Sequence, residues 1–89
     1  MANIASQIKR NKTNEAARRR NHSIRSEMKT RSKRALEAAE AGDADEANVR
    51  LRDAQRRIDS AAARGVLHKK TAARRKSRLA RRVADLLSD

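Results

Sequence analysis

The strongest constraint on this sequence is its shortage of residues that break helices. The 89 residues include no proline and only two glycines, Gly42 and Gly65. Glycine just after a helix readily adopts the left-handed conformation that ends the helix. Both glycines lie between alanine-rich periodic segments, so they predict helices at about residues 5–41, 44–63 and 68–87. The expected fold is all-α, a three-helix bundle with a long first helix.

The residues after each glycine predict how the next helix begins. Asp43 can accept a hydrogen bond from the free amides of the second helix, and Glu46 then completes an aspartate version of the capping box. His68 is the candidate N-cap of the third helix. Leu67 can pack on Ala72 as a hydrophobic staple. Both junctions therefore favour tight turns.

Apolar side chains recur at spacings of three and four, which is typical of helices that pack on one another. The second helix has the clearest stripe: Ala47, Leu51, Ala54, Ile58 and Ala61. The third offers Ala73, Ala80, Val83, Ala84 and Leu87, with Leu79 and Leu86 widening the stripe. The first helix supplies Ala17, Ile24, Met28, Ala35 and Ala39, with Arg31 among them. Many residues of these three stripes are alanines, which bury little area, so we expect a thin core.

The first helix is longer than the bundle can cover. Between Ile8 and Ile24 its only apolar side chains are two alanines. At about 1.5 Å per residue, the first helix would be roughly 55 Å long and the second roughly 30 Å. Roughly 25 Å of basic helix should therefore overhang the bundle. We expect this polar overhang to fray or become disordered until a partner neutralises it.

The charge of the chain predicts a polyanionic partner. Lys and Arg number 24 against 11 Asp and Glu, a net charge of +13. The net charges of residues 1–34, 35–63 and 64–89 are +9, −3 and +7. A mixed middle helix between two strongly basic ones indicates that the first and third helices share a binding face. The second helix would then look toward solvent or carry the hinge.

One face of the first helix combines cations with amides. A helical wheel places on it Gln7, Asn11, Asn14, Arg18, Asn21, His22, Arg25 and Lys29. Amides suit sugar hydroxyls and base edges, whereas cations suit phosphates. A merely solvated helix usually alternates cations with acids, but only Glu15 and Glu27 are available here. The pattern favours contact with nucleic acid.

Several kinds of site have no support in the sequence. Without Phe, Tyr or Trp, single-stranded bases cannot stack on aromatic platforms, so recognition should be of folded backbone shape. Two distant histidines, His22 and His68, without cysteine do not indicate a metal site. There is no nucleophile elbow and no phosphate-binding glycine loop, so we predict no enzyme and no cofactor.

No membrane association or export is indicated either. No apolar run approaches the roughly 20 residues of a membrane-spanning helix. The N-terminal residues lack the apolar segment of a secretory signal. We therefore expect a soluble intracellular protein.

Three stretches resemble the bacterial small-subunit ribosomal protein twenty family. They are MANIASQIKRNKTNEAARRRNHSIRSEMKT, AAEAGDADEA and AAARGVLHKKTAARRKSRLARRV. The resemblance covers essentially the whole chain, with a departure at Ala5, where the family usually has lysine. It implies a single RNA-binding helical domain over residues 1–89, located in the cytoplasm, in the ribosome. It also implies direct binding to 16S ribosomal RNA, between its 5′ domain and its 3′ minor domain, and packing of the RNA helices during assembly beside other small-subunit components.

The resemblance and the charge pattern together assign the RNA contacts. On the first helix the candidates are Lys9, Arg10, Asn11, Lys12, Thr13, Asn14, Arg18, Arg19, Arg20, Asn21, His22, Arg25 and Lys29. On the third they are His68, Lys69, Lys70, Arg74, Arg75, Lys76, Arg78 and Arg82. No catalytic residue, metal ligand or small-molecule substrate is expected.

Three alternatives are open from the residues alone. A nucleoid-type protein that compacts duplex DNA would carry the same phosphate-binding charge, and a preference for structured RNA would distinguish the two. A helical adaptor for acidic proteins would bind after nuclease treatment. A membrane-active cationic helix is disfavoured because the first helix lacks a continuous apolar face.

Overall fold

A computed structural model describes the backbone of residues 4–88 and the side chains of residues 12–88. The chain forms three helices, α1 (Ile4–Glu40), α2 (Ala44–Ala63) and α3 (Lys69–Leu87). Every boundary lies within one residue of the predicted bounds. The fold is all-α with a long first helix, which confirms the predicted fold class. Ile24 of α1 and Ala72 of α3 share an apolar cluster with Ala61, near the end of α2. Ala39 of α1 and Val83 of α3 share another with Ala47, near the start of α2. Therefore α1 and α3 are parallel to each other and antiparallel to α2.

Both glycines end their helices in the same way. Gly42 has φ of 78°, and the N–H of Asp43 donates to the carbonyl of Ala38 at 3.1 Å. Gly65 also has φ of 78°, and the residue after it donates its N–H to the carbonyl of Ala61 at 2.9 Å. These are Schellman motifs, in which the left-handed residue lets the chain turn back on the last carbonyls. The two turns thus satisfy the helix ends while reversing the chain.

The two N-caps are as predicted, but the capping box is only half formed. The Asp43 carboxylate accepts from the N–H of Glu46 at 3.1 Å. The Glu46 side chain does not reach back, because Arg50 one turn later holds it with Nε at 2.6 Å. A charge-assisted bond of this kind is stronger than one to a neutral amide. At α3, Nδ1 of His68 accepts from the N–H of Lys70 at 3.1 Å, which confirms His68 as the N-cap.

The core consists of two apolar clusters along the bundle. The cluster near the α2–α3 turn contains Ile24, Met28, Ile58, Ala61, Val66, Leu67 and Ala72. The cluster near the α1–α2 turn contains Ala35, Ala39, Ala47, Ala54, Leu79 and Val83. The presence of Leu67 and Ala72 in one cluster fits the predicted staple. Many of these residues are alanines, which let helices approach closely but contribute little buried area. The core is therefore thin, as expected.

The predicted stripe of α3 was partly wrong. Ala73 and Ala84 are exposed, whereas Ala72, which the stripe omitted, is buried with Leu79 and Val83. Neighbouring residues of a helix point about 100° apart, so Ala73 is turned away from the face on which Ala72 lies. On α2 the predicted stripe is buried except for Leu51, which is half-buried.

The N-terminal part of α1 projects beyond the bundle. Among the described side chains, Ile24 is the first of α1 to be fully buried. The molecule measures 66 × 21 × 14 Å, and the 37 residues of α1 account for about 55 Å of that length. The overhang is helical here, and its fraying in the free chain stays a prediction. No helix in the described residues is long and apolar enough to cross a membrane.

Candidate nucleic-acid interface

Two ion pairs join α1 to α2 at the edge of the bundle. Arg31 Nη1 lies 3.2 Å from Oδ1 of Asp53 and donates a hydrogen bond to it. Arg57 Nε lies 2.6 Å from Oε2 of Glu27, an ion pair whose angle is not that of a hydrogen bond. Both carboxylates are partly exposed, so each pair contributes about 1 kcal/mol or less. Their larger effect is electrostatic: each carboxylate is neutralised by an arginine, so neither acid repels a polyanion.

Two residues predicted to bind RNA also form ion pairs. Lys76 Nζ lies 2.7 Å from Oδ1 of Asp59, which ties α3 to α2. Arg19 pairs with Glu15 at 2.9 Å on the exposed surface of α1. Lys76 is half-buried, whereas the side chain of Arg19 is 79% exposed, so only Arg19 is readily available to a further partner.

A first groove lies along one side of α1, mostly beyond the bundle. We call it the overhang groove, and it is lined by Asn14, Ala17, Arg18, Asn21, His22 and Arg25. All five of its polar residues belong to the predicted cation-and-amide face. They share one side of the helix because they recur at three- and four-residue spacings, and Ala17 leaves the middle of the groove open. The structure thus brings this part of the predicted face together.

A second groove joins α1 to α3. We call it the shared groove, and it is lined by His22, Arg25, Ser26 and Lys29 of α1, Leu67 of the turn and Arg75 of α3. The parallel course of α1 and α3 places their cations side by side. Arg25 also donates from Nη2 to the carbonyl of Val66 at 3.4 Å, which draws its side chain toward the turn. The basic surface therefore continues from the overhang onto α3.

A third groove lies on α3 alone. We call it the outer groove, and it is lined by Ala73, Arg74, Ser77, Arg78 and Arg81. Arg81 was not among the predicted contacts, although it is seven residues after Arg74 and three after Arg78 and so falls on their face. Its spacing could have revealed it. Arg74 and Arg75 point about 100° apart, so the outer and shared grooves face different directions.

The remaining predicted contacts lie outside the three grooves. Lys12, Thr13, Arg19 and Arg20 are exposed on other sides of α1, and Lys69, Lys70 and Arg82 are exposed on α3. His68 is exposed and uses Nδ1 to cap α3. The side chains of Lys9, Arg10, Asn11 and Gln7 lie outside the described residues.

The three grooves share one electrostatic property, the absence of acids from their lining. By contrast, the groove on the outside of α2 includes Asp53, and the one on the opposite side of α1 includes Glu27. An acid-free lining keeps the potential positive, which favours an anion along the whole path from the overhang to α3. The second helix packs on both neighbours, and two of its acids, Asp53 and Asp59, pair with cations of α1 and α3.

Comparisons with known proteins identify the family of this chain. A model of the family described as Ribosomal protein S20 matches residues 2–84. The chain belongs to the ribosomal protein S20 family. The small ribosomal subunit protein bS20 of Streptomyces griseus subsp. griseus is 55% identical over 86 residues, covering 97% of this chain and 98% of the relative. Those of Salinispora tropica and Nocardia farcinica are also 55% identical, and cover 94% and 90% of this chain and 96% and 93% of the relatives.

Membership in the S20 family confirms two predictions. The family consists of structural proteins of the ribosome, so this chain is not an enzyme. A ribosomal protein is located in the ribosome, in the cytoplasm, as the sequence resemblance implied.

Proposed function

We propose that this chain binds 16S ribosomal RNA directly and stabilises the packing of its helices during assembly of the small subunit. The observation that carries the proposal is the continuous acid-free basic surface from the overhang groove to the shared groove. Phosphate backbones attract such a surface strongly, and closely packed RNA helices repel one another unless cations lie between them. The names of the relatives, small ribosomal subunit proteins, point to the same RNA.

The two directions of the basic surface favour contact with two RNA segments at once. The shared groove and the outer groove lie on different sides of α3, and each contains arginines without acids. Arg78 and Arg81 make no ion pair within the described residues, so their charge is available. We propose that these two sides contact the 5′ domain and the 3′ minor domain of 16S RNA. The protein would then act as a bridge between domains, in a single RNA-binding domain over residues 1–89.

The absence of aromatic residues supports recognition of folded RNA rather than of single strands. Stacking of unpaired bases requires aromatic side chains, and the sequence has none. Arginine supplies bidentate contacts to phosphate instead. The expected interface is therefore with the backbones and grooves of RNA duplexes.

The first test measures affinity across a salt series for refolded 16S RNA and for a DNA duplex of equal length, with helicity followed by circular dichroism. Tighter binding to the RNA, with helix gained by the overhang, supports the proposal. Equal affinities and equal salt slopes would instead favour the DNA-compacting alternative. Retention of a cellular protein partner after nuclease treatment would favour the adaptor.

A second experiment tests the bridge. Chemical footprinting of 16S RNA with the wild-type protein should show protection in both domains. Replacing Arg74, Arg78 and Arg81 by alanine should remove protection from one domain and leave the other. A variant with alanine at Arg52 and Arg56, exposed on α2, is the control and should protect both. Protection confined to one domain with the wild-type protein would contradict the bridge.

A further inference from the structure

Amides and arginines alternate along the overhang groove. Asn14 is followed by Arg18, Asn21 and Arg25, at spacings of four, three and four. All four residues line one groove, with Ala17 between them. This spacing repeats after seven residues, so the two asparagines lie about 10.5 Å apart along the axis, as do the two arginines. The groove thus presents two copies of one amide–arginine pair.

Both amides are free to bind a partner. Within the described residues, the side chains of Asn14 and Asn21 make no hydrogen bond, and Arg18 has no ion pair. Arg25 has only the long contact of 3.4 Å to the Val66 carbonyl. Asn14 is exposed and Asn21 is half-buried, so neither side chain is needed to satisfy a buried polar group of the bundle. Their hydrogen-bonding capacity is directed outward.

The two side-chain types differ in the chemistry that they can read. An amide both donates and accepts hydrogen bonds, as does the ribose 2′-hydroxyl, which DNA lacks. A guanidinium only donates, and phosphates are the same in RNA and DNA. The wide, shallow minor groove of duplex RNA displays its 2′-hydroxyls. Asparagine is short, so it reaches them only if the helix approaches closely, which the small side chain of Ala17 permits.

We infer that Asn14 and Asn21 give the protein its preference for RNA over DNA by hydrogen bonding to 2′-hydroxyls, while Arg18 and Arg25 bind the phosphates beside them. The inference rests on the proposed function, since it takes RNA as the ligand. It assigns selectivity to the amides, and affinity and salt dependence to the arginines.

The test uses three duplexes of one sequence, each of about 16 base pairs, a length that offers two successive minor grooves. They are RNA, DNA and 2′-fluoro RNA, which keeps the RNA duplex shape but lacks the hydroxyl. The wild-type protein should bind RNA roughly tenfold more tightly than the 2′-fluoro duplex, the effect of two neutral hydrogen bonds. The double variant Asn14→Ala, Asn21→Ala should bind these two equally, with an unchanged salt slope.

Two control variants separate the roles. Asn48→Ala removes an exposed amide from α2 and should leave every affinity unchanged. The double variant Arg18→Ala, Arg25→Ala should weaken binding to all three duplexes and lower the salt slope by roughly one unit per lost phosphate contact. It should keep the preference for RNA over the 2′-fluoro duplex.

The outcomes distinguish this inference from the proposed function. If the asparagine double variant keeps the wild-type preference, or if the wild-type protein shows none, the inference is overturned, even where 16S RNA is still bound tightly. If refolded 16S RNA and duplex DNA bind equally, the proposed function itself fails. Alanine favours helix more than asparagine does, so the variant should retain its helicity, which circular dichroism checks.

Discussion

The two halves of α1 share one secondary structure and use their side chains in opposite ways. From Ile24 onward the helix buries Ile24, Met28, Ala35 and Ala39, which recur at spacings of four and seven. Among residues 12–23 no side chain is fully buried. The C-terminal half, which we call the bundle half, contributes to stability. In the N-terminal half, the overhang half, nearly all of the side chains described, those of residues 12–23, are exposed and available to a partner.

The comparison shows why the overhang can be helical without a core of its own. The costly step in helix formation is nucleation, and the bundle half supplies a nucleated helix through its packing. Extension then adds one hydrogen bond per residue, at a small gain that charge repulsion can cancel. Among the overhang cations whose side chains are described, residues 12–23, Arg19 has a pairing acid, Glu15. A polyanion that neutralises the other cations should therefore complete the helix.

The largest expected effect comes from placing a charge in the buried core of the bundle half. Met28 is 1% exposed, and Met28→Asp would bury a charge with no partner. Such a substitution should cost about 4 kcal/mol or more, enough to remove the cooperative transition of a marginally stable domain. Circular dichroism during thermal unfolding measures this. Ser23→Asp adds the same charge at an exposed position and should unfold near the wild-type temperature; equal melting of both variants would show that the core lies elsewhere.

The second effect removes the function of the overhang half while leaving the fold intact. Replacing Arg18 and Arg25 by glutamate should lower affinity for 16S RNA on the order of a hundredfold and flatten its salt dependence. Stability should change by about 0.5 kcal/mol or less per exposed site. The matched control places glutamate at Arg52 and Arg56, with the same change of charge on α2. Unchanged affinity in the α1 variant, or an equal loss in the control, would contradict the proposed face.

A third, smaller effect lowers the stability of the bundle and leaves its basic surface unchanged. Asp43→Ala removes the acceptor that caps α2 and should cost about 1 kcal/mol. For a domain of this size the melting temperature should fall by about 4–8 °C. Asp43→Asn keeps an acceptor oxygen and should restore most of the loss. RNA affinity should be the same in all three proteins once they are folded, which titration below the melting temperature checks.

The smallest effect sharpens the comparison within α1 itself. Glu15→Gln releases Arg19 in the overhang half, and Glu37→Gln releases Lys33 in the bundle half; both pairs are exposed to the same degree. Each change should alter stability by about 0.5 kcal/mol or less. Only Glu15→Gln should raise RNA affinity, by a few-fold, because only that acid lies beside the overhang groove. Equal affinities of the two variants at low salt would show that position along α1 does not matter.

Much of the architecture was predictable because its signals are local. Gly42 and Gly65 have the positive φ that helix ends require, and Asp43 and His68 cap the next helices through their own side chains. The face of α1 that carries Arg18 is likewise a matter of helical spacing. Each of these depends on a few neighbouring residues.

The errors occurred where several local patterns were compatible with the sequence. The predicted stripe of α3 contained Ala73 and Ala84, whereas the packed face contains Ala72, which clusters with residues of α1, α2 and the turn between α2 and α3. Likewise, the sequence offered Glu46 as a capping-box partner, but Arg50 competed for it. Which face of α3 is buried, and which group binds Glu46, depend on residues that are nearby in the folded structure.

By itself, the sequence determined three helices, a thin core, a basic overhang and the family of the protein. The positions of the helix-ending glycines, the spacing of apolar residues and the distribution of charge are all properties of the linear sequence. Only the tertiary structure decided that Lys76 is bound by Asp59 and that Arg75 joins Arg25 in one groove. Those contacts connect different helices. They follow from how the helices pack, which fixes which cations meet acids and which remain free for a polyanion.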